Sequence, residues 1–139
     1  SNLWDDWRDH SDLWPPENGW KPGQRLGIGD TLFRLTEIFE FAARLATSPA
    51  GDESMHIEIK LSKLTGRVLF VDSPRRAPLF WEPRATVDEF PISLTLARAE
   101  LVATPRELAL AWSVELFKRF GWSGAQDVLK GWQLELERR

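Results

Sequence analysis

The stretch MHIEIKL, residues 55–61, carries the clearest structural signal in the sequence. Apolar and polar side chains alternate through it without a break, and the side chains of an extended strand point to opposite faces in turn. The apolar set is Met55, Ile57, Ile59 and Leu61, and the polar set is His56, Glu58, Lys60 and Ser62. The pattern predicts a β-strand with one buried face and one face in water.

Later stretches of the chain predict the strands that pair with it. Residues 63–66 (KLTG) have turn chemistry and lead into the β-branched and aromatic run 67–72, which predicts a β-hairpin with residues 55–61. Residues 89–98 alternate again, and Pro91 suits an edge strand or the first residues of a strand. Residues 79–81 predict a brief further edge strand. We therefore expect a small antiparallel sheet of three to four strands.

Helices are predicted before and after these strands. Asp30 is a suitable N-cap for a helix over 31–47, whose apolar residues recur every three or four positions. The stretch TPRE at 104–107 has the spacing of a capping box with proline at the first helical position. Further helices are predicted from Asn2 and from Ser123. The expected fold class is α+β, with about four helices packed mainly on one face of the sheet.

The composition is that of one ordinary soluble domain. The 139 residues are 42% hydrophobic and 28% charged, which argues against disordered and coiled-coil classes. The chain has no cysteine, so disulfides and thiolate chemistry are excluded. Because it has neither a long apolar run nor a signal-peptide pattern, we expect no membrane contact and a cytoplasmic location. Ser1-Asn2 in place of an initiator methionine predicts a fragment of a longer protein.

The first 29 residues differ from the rest of the chain. They combine proline and glycine with an acidic character: Asp5, Asp6, Asp9, Asp12 and Glu17 stand against Arg8 within residues 1–20. We therefore predict an N-terminal arm over 1–29, packed on a single α+β domain over 30–139. The arm holds four indole rings that must dock on this domain or on a partner. These candidate partner-binding residues are Trp4, Trp7, Trp14 and Trp20.

No arrangement of residues predicts catalysis, a metal or a cofactor. His56 and Glu58 match a deaminase fragment, but that site needs two cysteines, and we expect a solvated surface pair instead. The sequence Gly27-Ile28-Gly29 lacks the lysine and third glycine of a phosphate cradle. The acidic spacing of the arm fits a solvated helix face and not a calcium loop. The sequence therefore predicts no catalytic residue, no metal site and no cofactor.

A basic region over residues 60–84 is the second unusual feature. It combines phosphate-binding cations with a large ring that could stack on bases. The net charge of the whole chain is −3, which weakens this interpretation. The candidate nucleic-acid-binding residues are Lys60, Lys63, Arg67, Arg75, Arg76, Trp81 and Arg84.

Three short stretches resemble a known group of bacterial proteins. They are FEFAARLA at 39–46, LTGR at 64–67 and ELFKRFGW at 115–122. These packing patterns resemble the region downstream of the AlbA-type, Schlafen-like ATP-binding module in bacterial regulators and defence proteins. The resemblance implies an accessory domain of a larger bacterial protein. It implies no nucleotide-binding or DNA-binding residue in this chain.

Three hypotheses follow for the function. The first is a non-catalytic recognition or assembly domain whose partners are other domains of a parent protein or a second copy of the chain. The alternative is a nucleic-acid-binding module that uses the basic region. A carbohydrate enzyme is a third hypothesis, and it requires two carboxylates about 5 to 10 Å apart in a cleft.

Overall fold

The computed structural model describes residues 24–49, 51–73, 76–79, 81–123 and 126–137. Four strands and four helices lie in these ranges. In chain order they are β1 (Arg25–Gly27), α1 (Ile28–Thr47), β2 (Ser54–Leu61), β3 (Val68–Phe70), β4 (Phe90–Ala97), α2 (Arg98–Ala103), α3 (Pro105–Lys118) and α4 (Gln126–Glu137). The α+β class is confirmed. The helix predicted from Asn2 lies outside the described residues.

The strands form two separate sheets of two strands each. β2 runs antiparallel to β4 over eight pairs, from Ser54 opposite Ala97 to Leu61 opposite Phe90. β1 runs parallel to β3 over three pairs. The predicted sheet of three to four antiparallel strands is therefore wrong, and so is the predicted hairpin between 55–61 and 67–72.

The lengths and burial patterns of the strands explain this pairing. β2 and β4 both alternate over eight residues, so pairing them places two apolar rows on the same buried face. β3 has three residues, all buried or half-buried, which suits a parallel strand covered on both sides. Of the predicted strand at 79–81, Leu79 and Trp81 belong to no strand, and Phe80 lies outside the described residues.

The hydrogen-bond pattern of the β2–β4 sheet explains how it accommodates Pro91. The Arg98 amide donates to the Glu53 carbonyl at 2.8 Å, just beyond the end of the ladder. Since hydrogen-bonded and non-bonded pairs alternate in an antiparallel ladder, the pair of Lys60 and Pro91 is non-bonded. The amide that Pro91 lacks would point away from β2. The prediction that Pro91 suits an edge is confirmed.

α1 is the central helix of the core. Its buried face packs against α2, α3 and α4. Ile28, Leu32, Leu35 and Phe39 have no exposed surface, and their spacing follows the helical repeat. The inner faces of β2 and β4 complete the same core with Ile57, Ile59, Leu61, Phe90 and Ile92.

α1 begins three residues before the predicted start because another part of the chain caps it. Asp72 lies two residues after β3, and its carboxylate accepts hydrogen bonds from the amides of Gly29 and Asp30 at 2.8 and 2.9 Å. These amides have no partner within the helix itself. The predicted N-cap, Asp30, instead lies in the first turn. A cap from a residue distant in sequence gives no local signal, which is why the prediction failed.

α2 and α3 follow each other with only Thr104 between them. The predicted helix start at Pro105 is confirmed, but the predicted capping box is wrong. The Thr104 hydroxyl donates to the Glu100 carbonyl at 2.9 Å and makes no cap bond with α3. α2 was not predicted, because its six residues follow directly on the alternating stretch of β4.

α3 ends in a Schellman motif. The amides of Gly121 and Trp122 donate to the carbonyls of Lys118 and Phe117 at 2.9 and 3.0 Å. Gly121 has a φ of 81°, the left-handed conformation that this motif requires. The rings of Phe117 and Trp122 lie 5.6 Å apart and supply the apolar contact that accompanies it.

A buried amide holds α4 against the two longer helices. Gln133 is only 5% exposed. Its side-chain nitrogen donates to the Thr36 hydroxyl of α1 at 3.1 Å and to the Arg106 carbonyl of α3 at 2.9 Å. Because a buried polar group is costly unless it is hydrogen-bonded, these contacts select one position of α4 along its neighbours.

Candidate functional site

The outer face of the β2–β4 sheet is a regular surface that the described elements leave uncovered. Every second residue of both strands points to it, and all eight of these residues are exposed. They are Ser54, His56, Glu58 and Lys60 on β2, and Pro91, Ser93, Thr95 and Ala97 on β4. The polar side chains on this face agree with the sequence prediction, whereas the partner strand does not.

The outer edge of β2 carries an uninterrupted row of backbone groups. Alternation along the ladder points the amides and carbonyls of Ser54, His56, Glu58 and Lys60 away from β4. No backbone group of the described residues pairs with them, since the sheet contains β2 and β4 alone. The corresponding edge of β4 is interrupted by Pro91, which has no amide hydrogen. β2 therefore has the edge that is open to another strand.

His56, Glu58 and Thr95 form a hydrogen-bonded group on this outer face. His56 Nδ1 lies 2.7 Å from Thr95 Oγ1, and His56 Nε2 lies 3.0 Å from Glu58 Oε1. The order hydroxyl, imidazole, carboxylate is that of a nucleophilic triad. The side chains of His56 and Glu58 are 52% and 74% exposed, however, so water reaches every member of the group. We interpret it as a surface contact that joins the two strands.

The structure distributes the predicted basic residues over several elements instead of one hairpin. Lys60 Nζ lies 3.4 Å from Glu89 Oε1. Arg84 donates to Glu82 at 3.0 Å and to the Gly66 carbonyl at 3.3 Å. These cations are already neutralised by neighbouring groups of the same chain.

Arg67 and Arg76 are also engaged within the fold. Arg67 is 5% exposed and donates to the Arg25 carbonyl at 2.6 Å. Arg76 pairs with Glu135 and stacks over the Trp132 ring, 4.1 Å from its centre. Both side chains hold elements together instead of facing a ligand.

Lys63 and Trp81 are exposed members of the predicted basic set. No carboxylate of the described residues lies within 4 Å of Lys63. Lys63 has a φ of 58°, and Trp81 is 47% exposed. Arg75 lies outside the described residues, as do Trp4, Trp7, Trp14 and Trp20.

The Gly27-Ile28-Gly29 turn is filled by Asp72. A Cβ on Gly27 would lie 2.3 Å from Asp72 Oδ2, and a Cβ on Gly29 would lie 2.8 Å from Oδ1. The carboxylate therefore occupies the position that an anion would take at the start of α1. The two glycines are explained by the close approach of Asp72.

A second exposed surface lies on α1. Phe33, Phe41 and Leu45 lie on one ridge of residues four apart, and they are 40%, 51% and 42% exposed. Glu37 interrupts this ridge between the two phenylalanines. The surface is apolar and is a second place where another protein could bind.

The other features of the described residues are a shallow groove, the placement of the acidic and histidine side chains, and the character of the helices. A shallow groove between the end of α1 and α2 is lined by Thr47, Arg98, Ala99, Val102 and Ala103. Within the described ranges, no three acidic or histidine side chains converge on a point that could hold a metal ion. None of the described helices combines the length and the apolar character needed to span a bilayer.

The sequence contained a signal for the open edge that the prediction did not use. Among the described strands, 54–61 and 90–97 alone alternate over eight residues, so these two stretches match each other in one long ladder. A sheet with two long strands and helices on one face must have exposed edges.

Comparisons with family models, with curated proteins and with solved structures find no match for this chain.

Proposed function

We propose that this chain is a non-catalytic recognition or assembly domain that binds a second copy of itself through the outer edge of β2. One observation carries the proposal. The edge of β2 has four amides and four carbonyls in an unbroken row, whereas Pro91 interrupts the edge of β4. Unpaired strand edges are templates for strand addition. The resemblance noted in the sequence suggests that the domain serves a larger cytoplasmic protein of bacteria.

The sequence of β2 is complementary to itself in one antiparallel register. With Ile57 opposite Ile57 of the second copy, His56 lies opposite Glu58, and Glu58 lies opposite His56. Met55 then faces Ile59 on the buried side. Polar pairs that hydrogen-bond across strands are favourable by about 0.2–1 kcal/mol per pair. The result is a continuous four-stranded antiparallel sheet in the order β4, β2, β2, β4.

This register also agrees with the hydrogen-bond pattern of β2. The backbone groups of Ser54, His56, Glu58 and Lys60 point to the outer edge. In the proposed register, His56 pairs with Glu58 and Ser54 pairs with Lys60 of the other copy, so every outward group finds a partner. No shift in the backbone of β2 is needed.

Replacing Glu58 with proline is expected to convert a dimer into a monomer. Proline removes an amide that points outward and therefore spares the ladder to β4. Sedimentation velocity over a range of concentrations should show the wild type at twice the 16.0 kDa chain mass and Glu58→Pro at that mass itself. Glu58→Ala keeps the amide and should weaken the dimer by less than the proline does.

Ser93→Pro is the matched control, because Ser93 lies directly opposite Glu58 but on the outer edge of β4. It should remain dimeric, and so should Phe41→Glu on the apolar ridge of α1. Circular dichroism checks that each variant is folded. A wild type that is monomeric at every concentration would contradict the proposal. A dimer that is disrupted only by Phe41→Glu or by Ser93→Pro would also contradict it.

The nucleic-acid alternative stays a prediction, and the structure favours it less. Lys60, Arg76 and Arg84 are each paired with a carboxylate, and the hairpin that would have presented them as one patch is absent from the described residues. Binding to nucleic acid requires cations that can neutralise its phosphates and so release the counterions condensed on it. Absence of any fluorescence-anisotropy shift with labelled single-stranded DNA at low salt would exclude it.

A further inference from the structure

His56 and Glu58 direct two metal-binding atoms towards one point on the outer face of β2. His56 Nε2 lies 3.0 Å from Glu58 Oε1. Imidazole nitrogen and carboxylate oxygen bind Zn²⁺ at about 2.0–2.2 Å, so two such ligands of one tetrahedral ion lie about 3.3 Å apart. Both side chains are more than half exposed, so an ion can reach them from solvent. The pair already has nearly the spacing of two ligands of one zinc ion.

Thr95 holds the His56 ring in the orientation that a metal ligand needs. Thr95 lies opposite His56 in the ladder of β2 and β4, and its Oγ1 is 2.7 Å from His56 Nδ1. When this hydroxyl accepts the proton of Nδ1, the free lone pair of the ring lies on Nε2, which is the atom that faces Glu58. Histidine ligands are commonly fixed by such a hydrogen bond from their second ring nitrogen.

A single chain supplies too few ligands for a closed zinc site. Such a site has four protein ligands. Among the residues that the structure describes, no third histidine or acidic side chain joins His56 and Glu58 around a common point. Lys60, the cation two positions after Glu58, is held by Glu89, with 3.4 Å between Lys60 Nζ and Glu89 Oε1. Further ligands must come from a second copy.

The proposed β2 dimer brings two copies of the pair together. With Ile57 opposite Ile57, each His56 faces Glu58 of the other copy at a Cα separation of about 5.5 Å. Along each strand the Cα atoms of His56 and Glu58 are about 6.8 Å apart. The four side chains therefore surround the twofold axis of the dimer on the outer face of the sheet. A tetrahedral ion has twofold symmetry of its own and can lie on this axis.

We propose that the outer face of the sheet binds one Zn²⁺ per dimer, held by His56 and Glu58 of both copies. The inference rests on the proposed β2 dimer, because only the dimer provides all four ligands. Two imidazole nitrogens and two carboxylate oxygens fill the coordination sphere and leave no position for a reacting water, as is typical of a structural zinc site. The ion therefore stabilises the assembly, in agreement with a non-catalytic domain.

Zinc is expected to tighten the dimer, because the four-ligand site is absent from the monomer. When free Zn²⁺ is ten times its dissociation constant, the dissociation constant of the dimer should fall by about tenfold. Sedimentation equilibrium in EDTA and in ZnCl₂ measures the two constants. The measurement in EDTA also tests the dimer without any contribution from the metal.

Titration calorimetry with ZnCl₂ on EDTA-treated and dialysed protein tests the site itself. The wild type should bind one zinc ion per two chains. His56→Gln and Glu58→Gln each remove two of the four ligands, and each should weaken binding by about a hundredfold or more, since the loss of an outer partner alone costs ten- to hundredfold. Both variants keep a polar side chain and the backbone of β2, so they should remain dimeric in EDTA.

Thr95→Val tests the positioning role of the hydroxyl, because it keeps the branched shape and removes the acceptor. It should weaken zinc binding by about ten- to hundredfold and leave the dimer in EDTA unchanged. Two matched controls should bind zinc like the wild type. Glu89→Gln changes an exposed acid of the same region, and His10→Gln changes the only other histidine of the sequence.

The results separate a failure of the zinc site from a failure of the dimer. A wild type that is dimeric in EDTA and binds no zinc overturns the site and leaves the dimer standing. Binding of one zinc ion per chain, or binding that Glu58→Gln does not weaken, also overturns the site, and so does binding that His10→Gln abolishes. A wild type that is monomeric both in EDTA and in ZnCl₂ contradicts the dimer and the site together.

Discussion

Asp72→Ala is expected to lower the free energy of unfolding by about 2 kcal/mol, because it removes both hydrogen bonds that cap the start of α1. Ile28, Leu32, Leu35 and Phe39 of α1 have no exposed surface, so a weaker start of this helix affects the entire core. Urea unfolding followed by circular dichroism at 222 nm measures the change. Asp72→Asn keeps one acceptor oxygen and should lower the free energy of unfolding by about half as much as Asp72→Ala does.

Two further variants separate the cap from other effects. Gly27 has an ordinary φ of −75°, so Gly27→Ala carries no backbone strain, but its Cβ would displace Asp72. Gly27→Ala should therefore destabilise the wild type and do almost nothing in the Asp72→Ala background. Asp88→Ala removes an exposed carboxylate that accepts a hydrogen bond from the Thr65 hydroxyl. It should lower the free energy of unfolding by less than Asp72→Ala does. Additive effects of Gly27→Ala and Asp72→Ala would contradict this account of the cap.

Trp132→Ala is expected to be the more damaging single change, at about 3–5 kcal/mol, because a large ring leaves the core. Trp132 is 6% exposed and holds Arg76 on its face at 4.1 Å. Its loss would free the chain around Arg76 from α4 as well as open a cavity. Chemical denaturation measures the stability, and the contact between Arg76 and Glu135 should be lost with the ring.

Trp132→Phe distinguishes packing from hydrogen bonding at the same position. The Trp132 indole nitrogen is buried and has no hydrogen-bond partner among the described residues. Replacing the indole by a phenyl ring therefore costs only the smaller volume, about 1–1.5 kcal/mol. Trp81→Ala, at an exposed ring, should stay within about 0.5 kcal/mol. A loss for Trp132→Phe as large as for Trp132→Ala would show that the indole nitrogen is bonded.

Local patterns predicted the elements of this fold well, and pairing between distant elements poorly. The alternation in 55–61 and 89–98 and the proline at 105 are signals within a few residues, and the strands and helix appear where they predict. Pairing of β2 with β4 instead of residues 67–72 depends on matching two eight-residue rows across 28 intervening residues. No single stretch contains that information.

At the candidate site too, local patterns predicted some features, and pairing between distant elements determined the others. The exposed positions of His56 and Glu58 follow from the period of two, and the structure places both on the outer face. Thr95 as the partner of His56, and the open edge itself, depend on which strand lies beside β2. The basic residues were predicted as one patch because a hairpin would have aligned them. Asp72 had no local signal at all, since its partners Gly29 and Asp30 lie more than 40 residues away.

The proposed dimer uses the outer edge of β2 and its backbone groups. It leaves the exposed apolar ridge of α1 uncovered. In the proposed assembly function, this ridge is the surface left for other partners.

The most direct test of the central claim is an isotope-filtered NOE experiment on an equilibrated mixture of labelled and unlabelled copies. In the proposed register Ile57 faces Ile57 in a non-hydrogen-bonded pair, whose Cα atoms lie about 4.5 Å apart. The account predicts a strong NOE between the Hα of labelled Ile57 and the Hα of unlabelled Ile57, and none between β4 strands. A dimer without this NOE, or with intermolecular NOEs confined to α1 or β4, would contradict it.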